Sequence, residues 1–515
     1  MAEFIEAANN IIWSKPLIYL CLLAGVYFTI RTRLLQIRQI PAMIRSTFKG
    51  ESSADGVSSF QALAMSLAGR VGTGNIAGVA TAIAFGGPGA VFWMWLVAFL
   101  GSSTSFIEST LGQIYKERDK VTGEYRGGPA YYFEKAYRHT KYSGLFKVYA
   151  SLFAFATVLA CGFFLPGVQA NGIAAGLENA FPAVHSWMSA VGITVVLAFI
   201  VIGGVKRIAN FASVVVPVMA IVYIIAAIII LFINIDQVGS IFALIFESAF
   251  GLHATFGAII GSAIEWGVKR GIYSNEAGQG TGPHSAAAAE VKHPASQGFV
   301  QAMAVYIDTL FVCSATAFLI LSTGMYRVYE GGSDKTPILA EGSGSLSPDA
   351  AVGPAFAQAG FDTFIAGAGP AFIAISLTFF AFTTIVAYYY MAETNLRYLT
   401  RNIQNRAINK VLLRLLQLAI IVASVYGCIS TAGAAWALGD IGVGLMAWLN
   451  IVGILVIQKP ALLVLKDYEK QHKQGLDPIF DPRELGIKNA DFWERYYDTQ
   501  TGIIDFEKLT GQRKA

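Results

Sequence analysis

The sequence predicts an all-α polytopic membrane protein with about 11 transmembrane helices. Of its 515 residues, 55% are hydrophobic and only 14% are charged, whereas about a quarter of the residues in soluble domains are charged. The mean hydropathy is +0.55, and apolar stretches of about 20 residues, the length that crosses a bilayer, recur along the chain. The net charge of +4 is small and gives no indication of a nucleic-acid partner.

Eleven stretches are apolar and long enough to cross the membrane. They lie near residues 12–32, 59–86, 88–115, 147–178, 187–204, 208–234, 253–290, 299–326, 369–392, 411–430 and 433–457. Lys and Arg are concentrated in the loops after the first, third, fifth, seventh and ninth stretches, and the alternate loops are poor in them. The positive-inside rule therefore predicts an N-terminus outside the cell and a C-terminus in the cytoplasm.

A polar, glycine-rich segment interrupts the second stretch. Residues 66–79 read SLAGRVGTGNIAGV and contain four glycines together with Arg70, Thr73 and Asn75. Lipid offers no partner for backbone N–H and C=O groups, so this segment indicates a helix that breaks within the membrane and lines a cavity. The alternative is a kink at which small residues allow neighbouring helices to pack closely.

A second interruption lies in the seventh stretch, near residues 255–290, where the chain reads FGAIIGSAIEWGVKRGIYSNEAGQGTG. When the first stretch is set aside as an extra helix, the two interrupted stretches are the first and sixth of the remaining ten. This spacing predicts a core of 5+5 helices in two repeats of inverted topology. Half-helix N-termini attract a carboxylate and free carbonyls coordinate a small cation, so two breaks indicate a secondary transporter.

These features divide the chain into five parts. They are an extra N-terminal helix (1–35), a basic cytoplasmic loop (36–58), the first five-helix repeat (59–235), the second repeat (236–460) and a cytoplasmic C-terminal tail (461–515). The tail is polar and contains aromatic residues, a composition that fits either an ordered appendage or a flexible segment.

Four motifs resemble signatures of the alanine or glycine:cation symporter family, also called the sodium:alanine symporter family. They are GRVGTGNIAGVATAI (69–83), GGPAYY (127–132), WGVKRGIYSNEAGQGTGP (266–283) and FAFTT (380–384), and the resemblance spans roughly residues 10–460. The family is bacterial and archaeal, has a leucine-transporter-like fold, and couples sodium entry to uptake of alanine or glycine. The resemblance implies a protein of the prokaryotic inner membrane whose partners are a small neutral amino acid, sodium and lipid. The sequence shows no motif for an organic cofactor, so none is expected.

The resemblance also implies that the substrate carboxylate binds backbone amides at the first break. Thr73, Gly74 and Asn75 occupy this position, and glycine leaves the amides accessible. Gln169 is expected to hold the ammonium or carboxylate group of the substrate, and its alternative role is an interhelical hydrogen bond worth about 0.6–2 kcal/mol. Tyr273 is expected to shape a small pocket, with plain helix packing as the alternative.

Tyr388 departs from the family pattern, in which a Gly-Trp pair often stands where this chain has Ala387 and Tyr388. A smaller ring with a hydroxyl leaves more room in a pocket and makes its wall more polar. We therefore place Tyr388 and Thr384 among the substrate contacts. We expect alanine or glycine as the substrate, with serine or a larger neutral amino acid as alternatives.

Sodium is a hard cation that prefers oxygen ligands, and Thr383 and Thr384 supply two adjacent hydroxyls. By resemblance, these hydroxyls join the backbone carbonyls of Ala68 and Val71 as sodium ligands. The alternative is that both hydroxyls bond back to the preceding helical turn.

The charged residues near the breaks are expected to have structural or gating roles. The charged and polar residues of the second break fit a gating or structural ion pair better than direct contact with the substrate, and a third alternative places them in the cytoplasm. They are Lys269, Arg270, Asn275 and Glu276. Arg70 is expected to pair with a carboxylate. Glu108 is expected near the inner end of its helix, reaching towards the interface.

The sequence thus predicts a sodium-coupled symporter that works by alternating access, and not an enzyme. Proton coupling is the first alternative, but it calls for an ionisable residue at the Thr383 and Thr384 position, and none stands there. A channel fits the two breaks less well. An intramembrane enzyme would need a catalytic constellation such as HExxH, which the sequence lacks.

Overall fold

The computed structural model describes residues 2–48, 56–119, 122–201, 204–253, 255–330, 334–498 and 503–504. The first half of the chain forms α1 (Ala2–Ile12), α2 (Lys15–Arg31), α3 (Leu35–Arg38), α4 (Ile40–Phe48), α5 (Ser59–Arg70), α6 (Val79–Gly86), α7 (Ala90–Ile114), α8 (Pro129–Ala136), α9 (Ser143–Leu159), α10 (Leu165–Ala180), α11 (Ser186–Val201) and α12 (Gly204–Ile233). Local signals set several ends: Ser58 and Gln61 form a capping box before α5, which satisfies two backbone donors that no helical carbonyl reaches.

The second half continues with α13 (Val238–Ala249), α14 (Ile260–Asn275), α15 (Gly282–Ala288), α16 (Pro294–Tyr306), α17 (Ser314–Thr323), α18 (Pro354–Asp362), α19 (Gly369–Thr400), α20 (Arg406–Ile429), α21 (Ala432–Ile457), α22 (Lys459–Lys473) and α23 (Asp491–Tyr496). Side chains of Asn405 and Thr431 cap the first turns of α20 and α21. Such caps fix where a helix begins because they satisfy otherwise unpaired N–H groups.

Shorter elements complete the described chain. Two 3-10 helical turns cover Ile235–Gln237 and Gly257–Ile259. Three antiparallel strand pairs join β1 (Glu117–Arg118) to β2 (Tyr125–Arg126), β3 (Arg327–Tyr329) to β4 (Ile338–Glu341), and β5 (Tyr497–Asp498) to β6 (Ile503–Ile504). Three π-helical turns cover Gly74–Gly78, Ala160–Phe164 and Ile307–Cys313. The sequence did not predict these turns, which are rare and often lie at functional sites.

Eight of the described helical segments are long and apolar enough to cross a membrane, so the protein is a polytopic membrane protein. They are Ala7–Arg31, Ala90–Ile114, Ser143–Ala180, Ile208–Ile233, Pro294–Thr323, Gly369–Thr400, Arg406–Ile429 and Ala432–Ile457. The other three predicted stretches correspond to the two interrupted helices and to the short helix α11.

Both predicted interruptions are present. The first helix ends at Arg70, where Val71 takes an extended conformation with φ −77° and ψ 94°, and resumes through the π-helical turn before α6. The second ends at Asn275, where Glu276 has a φ of +55°, and resumes in α15. The two interrupted helices contact each other and pack among α7, α16 and α19. By contrast, only 28% of the apolar window of α12 is buried, which leaves most of that helix for lipid.

Candidate functional site

The first break exposes two backbone amides, and both are bound by side-chain oxygens. The N–H of Gly72 donates to Oδ1 of Asn75 at 2.8 Å, and the N–H of Thr73 donates to Oε1 of Gln169 at 2.9 Å. A Cβ atom on Gly72 would lie 2.5 Å from Oγ1 of Thr384 and 2.7 Å from Oε1 of Gln169. Only glycine therefore allows these two side chains to approach the open backbone.

The second break faces the first. A Cβ atom on Gly74 would lie 3.2 Å from Cδ1 of Tyr273 and 3.4 Å from Cα of Ser274. The ring of Tyr273 in turn packs against Trp436, with centroids 4.9 Å apart. The interrupted turns of both helices therefore meet at one buried point.

A buried carboxylate from a third helix joins the two breaks. Asp308 lies in the π-helical turn Ile307–Cys313, and its Oδ1 accepts from Nδ2 of Asn75 at 2.7 Å. Its Oδ2 accepts from the hydroxyls of Ser274 and Thr309, each at 2.8 Å. These three hydrogen bonds offset the cost of burying the Asp308 carboxylate within a membrane helix. The sequence offered one signal for this role, an acidic residue in the middle of an apolar span.

The candidate sodium ligands are partly assembled. Oγ1 of Thr384 donates to the carbonyl of Val71 at 3.3 Å and to that of Phe380 at 3.0 Å. In the part of the chain that the structure describes, Oγ1 of Thr383 bonds only within its own helix, to the carbonyl of Phe380 at 2.9 Å. Ala68 is buried in the last turn of α5. Carbonyl and hydroxyl oxygens suit a hard monovalent cation, and the contact between Thr384 and Val71 links α19 to the first break.

The remaining predicted substrate residues surround the same point. Tyr388 is buried and lies near Tyr273 and Gln169. Asn75 is also buried, but its amide is already engaged, because Oδ1 binds Gly72 and Nδ2 binds Asp308. Asn75 therefore stabilises the backbone conformation of the first break.

Lys269 and Arg270 share one acidic partner that the sequence did not identify. Nζ of Lys269 lies 2.8 Å from Oδ2 of Asp440. The guanidinium of Arg270 binds both oxygens of Asp440, at 3.0 and 3.1 Å, and stacks 4.2 Å from the ring centroid of Trp436. Of the three alternatives, the ion pair is the arrangement present, and it fixes α14 against α21.

Two expectations about charged residues were wrong. Among the described residues, Arg70 makes no hydrogen bond to a carboxylate, but donates to the carbonyl of Gln301 at 3.1 Å and to Oγ of Ser105 at 3.2 Å. Carboxylates act on its charge only without direct contact. A backbone carbonyl is available at this depth because the neighbouring helix α16 packs directly against α5.

Glu108 does not reach the interface either. It is fully buried and accepts from the N–H groups of Gly278 and Gly280 at 3.2 and 3.1 Å, and from Nδ2 of Asn450 at 2.6 Å. The open backbone of the second break supplies these donors, so Glu108 fixes the loop between α14 and α15.

Comparisons with known proteins find relatives that are named amino-acid carriers or symporters. The profile of the sodium:alanine symporter family matches residues 1–482. A Bacillus subtilis protein provisionally named a sodium/proton-dependent alanine carrier is 57% identical over 498 residues, covering 96% of this chain and 98% of that protein. A sodium/proton-dependent alanine carrier of Bacillus sp. PS3 is 49% identical, with coverages of 88% and 98%. A sodium/alanine symporter of Methanococcus maripaludis is 34% identical, with coverages of 92% and 98%.

Proposed function

Because the chain belongs to the sodium:alanine symporter family, we propose that it is a sodium-coupled symporter that takes up alanine, or another small neutral amino acid, by alternating access. The observation that carries this proposal is the first break. There the N–H of Thr73 faces Gln169 and the carbonyl of Val71 faces Thr384, so one turn of open backbone offers a donor for an anion beside an acceptor for a cation.

In this proposal the substrate carboxylate binds the amides of Thr73 and Gly74. Oε1 of Gln169 already accepts a hydrogen bond from Thr73, as a carboxylate oxygen would. Binding of the substrate displaces this amide oxygen and leaves Gln169 to contact the zwitterion. Tyr273 and Tyr388 then form the wall that limits the size of the substrate side chain.

Sodium binds the carbonyls of Ala68 and Val71 together with the hydroxyls of Thr383 and Thr384. To do so, the hydroxyl of Thr384 turns a lone pair towards the ion and gives up its bond to Val71, while its proton still donates to the carbonyl of Phe380. The ion ties α5 to α19, and its release allows the two helices to separate. One sodium with a zwitterion moves one net charge inward, which gains about 2.3 kcal/mol per 100 mV.

The same proposal includes the membrane arrangement. The protein lies in the inner membrane of a prokaryote, in contact with lipid, with its N-terminus outside and its C-terminus in the cytoplasm. One interrupted helix at the start of each half supports a leucine-transporter-like core of two inverted repeats. Proton coupling remains the second candidate, because two of the relatives are named sodium/proton-dependent carriers.

The test compares two threonines on α19. Thr384→Ala removes a proposed ligand, and we expect the sodium concentration for half-maximal alanine uptake to rise about tenfold. The matched control is Thr378→Ala, since Thr378 makes the same kind of intrahelical bond, to the carbonyl of Ala374 at 2.7 Å. Equal sodium curves for Thr384→Ala and the control would remove Thr384 from the site.

A further inference from the structure

Three buried carboxylates lie around the two breaks, and one of them differs from the others. Glu108 and Asp308 each accept three hydrogen bonds. Glu276 is only 1% exposed, yet neither of its carboxylate oxygens has a hydrogen-bond partner among the described residues. An unsatisfied carboxylate in a membrane interior is costly and indicates a functional role.

The loop that carries Glu276 holds further unsatisfied oxygen atoms. Gln279 and Thr281 are fully buried, and the amide atoms of Gln279 and the hydroxyl of Thr281 also lack partners in the described structure. Thr281 lies close enough to Glu276 to interact with it, but the two do not reach hydrogen-bond geometry. A carboxylate, an amide carbonyl and a hydroxyl are the oxygen ligands that hard cations prefer.

The backbone of this loop is held in place by hydrogen bonds to its amides. Gly278 and Gly280 have φ values of +82° and +85°, and their amides are bound by Glu108. Glu276 itself has a φ of +55°, which is uncommon for a residue other than glycine. Strain of this kind at a buried charge is typical of functional sites.

Glu276 adjoins the proposed sodium site. A Cβ atom on Gly69, the neighbour of Ala68, would lie 3.4 Å from Oε2 of Glu276 and 3.7 Å from Cβ of Ala387. Ala387 lies about one helical turn beyond Thr383 and Thr384, towards the end of α19 that we predict to be cytoplasmic. The carboxylate is therefore next to the proposed site, on the side through which an ion taken up would leave.

The charges in this region favour a cation. Arg70 is the positive charge that acts on Glu276, and it interacts with Glu108 and Asp308 as well. Three carboxylates around one guanidinium leave a negative excess. Neutral donors satisfy Glu108 and Asp308, whereas Glu276 is balanced only by the charge of Arg70 and has no hydrogen-bond donor among the described residues.

We propose that Glu276, with Gln279 and Thr281, forms a second monovalent-cation site, through which sodium passes from the first site to the cytoplasm. This proposal rests on the proposed function, since it assumes that sodium binds first at Ala68, Val71, Thr383 and Thr384. It assigns to the second break a role in ion release, distinct from substrate binding.

The test measures sodium from each side of the membrane separately. Alanine uptake is followed in right-side-out vesicles, first with external sodium varied and then with internal sodium varied at a fixed external concentration. For Glu276→Gln we expect the internal sodium concentration that halves uptake to rise about tenfold, while the half-maximal external concentration changes by less than about twofold. The matched control is Glu265→Gln, which removes the same charge from an exposed position on α14. We expect it to leave both of these sodium concentrations, the internal and the external, unchanged.

A second variant separates a cation site from a folding defect. Gln279→Leu breaks no side-chain hydrogen bond of the described structure, and we expect it to weaken inhibition by internal sodium in the same direction, with a normal gel-filtration profile. Unchanged inhibition in both variants, or equal shifts on the two sides of the membrane, would overturn the proposal. An effect on inhibition by internal protons but not by internal sodium would also overturn it. If Thr384→Ala leaves external sodium dependence unchanged, the proposed first site fails independently of Glu276.

Discussion

At the scale of single residues, Gly72 allows the candidate site to exist. Because glycine has no side chain, Thr384 of α19 and Gln169 of α10 can both approach the backbone at this position. Gly72 does not have a positive φ, so the requirement is one of space and not of backbone conformation. A Cβ atom at this position would force two side chains of the candidate site to move, Thr384 and Gln169.

Gly72→Ala should abolish alanine binding, or weaken it at least tenfold, a loss of about 1.4 kcal/mol or more. The added methyl group would displace Thr384 and Gln169, since the nearest approaches are 2.5 and 2.7 Å. Binding of radiolabelled alanine to the purified protein measures this. Gly261→Ala is the control, because a Cβ atom there would meet no other element of the described structure within 4 Å. Wild-type binding by Gly72→Ala would mean that the substrate lies elsewhere.

At the scale of helices, buried charges act as fixed connections. Asp308 joins the two breaks to α16 and α17 through its turn, and Glu108 holds the loop between α14 and α15. Asp440 fixes α14 to α21 through two cations. These helices are attached to one another by specific polar contacts, so they are expected to move together when the transporter changes state.

Asp440→Asn should lower the stability of the folded protein by about 3–5 kcal/mol, because it leaves Lys269 and Arg270 buried without a compensating charge. A lower thermal unfolding midpoint in detergent measures the loss. Asp236→Asn, at an exposed position between α12 and α13, provides the comparison and should unfold as the wild type does. Equal midpoints for both variants would show that the ion pair adds no stability.

Across these helices, the sequence predicts local features better than long-range partners. Glycine and polar residues in an apolar stretch were sufficient to locate both breaks, because an open backbone in lipid has few solutions. The hydrogen-bond partners of the buried charges could not be predicted in this way. Arg270 and Asp440 are separated by 170 residues, and Glu108 and Asn450 by 342. Such pairs depend on which helices face each other and on how each helix is rotated about its axis. No local sequence pattern encodes this arrangement. The errors at Arg70 and Glu108 have this origin.

At the scale of the whole molecule, residues 461–498 of the C-terminal tail are ordered and pack on three loops. Glu469 binds Arg33 and Arg38, at 2.5 and 2.6 Å. Lys292 pairs with Asp477, and Asp491 pairs with Arg138. These loops follow the first, third and seventh predicted spans, so they share one face with residues 461–498 of the tail. Composition left open whether this segment is ordered, since its order depends on docking to distant loops.

Trp493 anchors this segment. It is fully buried, donates from Nε1 to the carbonyl of Gln113 at 3.0 Å, and packs against Phe480. Trp493→Ala should weaken docking by about 3–5 kcal/mol, and we expect faster amide hydrogen exchange over residues 474–496 with unchanged exchange in α7. Trp187→Ala, at a position 59% exposed, is the control. Unchanged exchange over residues 474–496 would contradict the anchoring role.

Docking should also weaken in acid. Burial alone would raise the pKa of Asp491, but the hydrogen bond from Arg138 and the charge of Lys135 hold the pKa below its usual value. A lowered pKa means that the stabilisation is present at neutral pH and is lost as the pH falls through the folded-state pKa. Exchange over residues 474–496 should therefore accelerate in that acidic range, and Asp491→Asn should remove the pH dependence. The same acceleration in Asp491→Asn would assign it to another group.

Coupled transport is the central claim, and uptake of radiolabelled alanine into proteoliposomes tests it most directly. The purified protein is assayed with an inward sodium gradient and again with potassium replacing sodium, with protein-free liposomes as the blank. We expect uptake above the blank only with sodium, and competition by excess unlabelled glycine or serine. Equal alanine uptake with potassium, or no alanine uptake in either gradient, would contradict it.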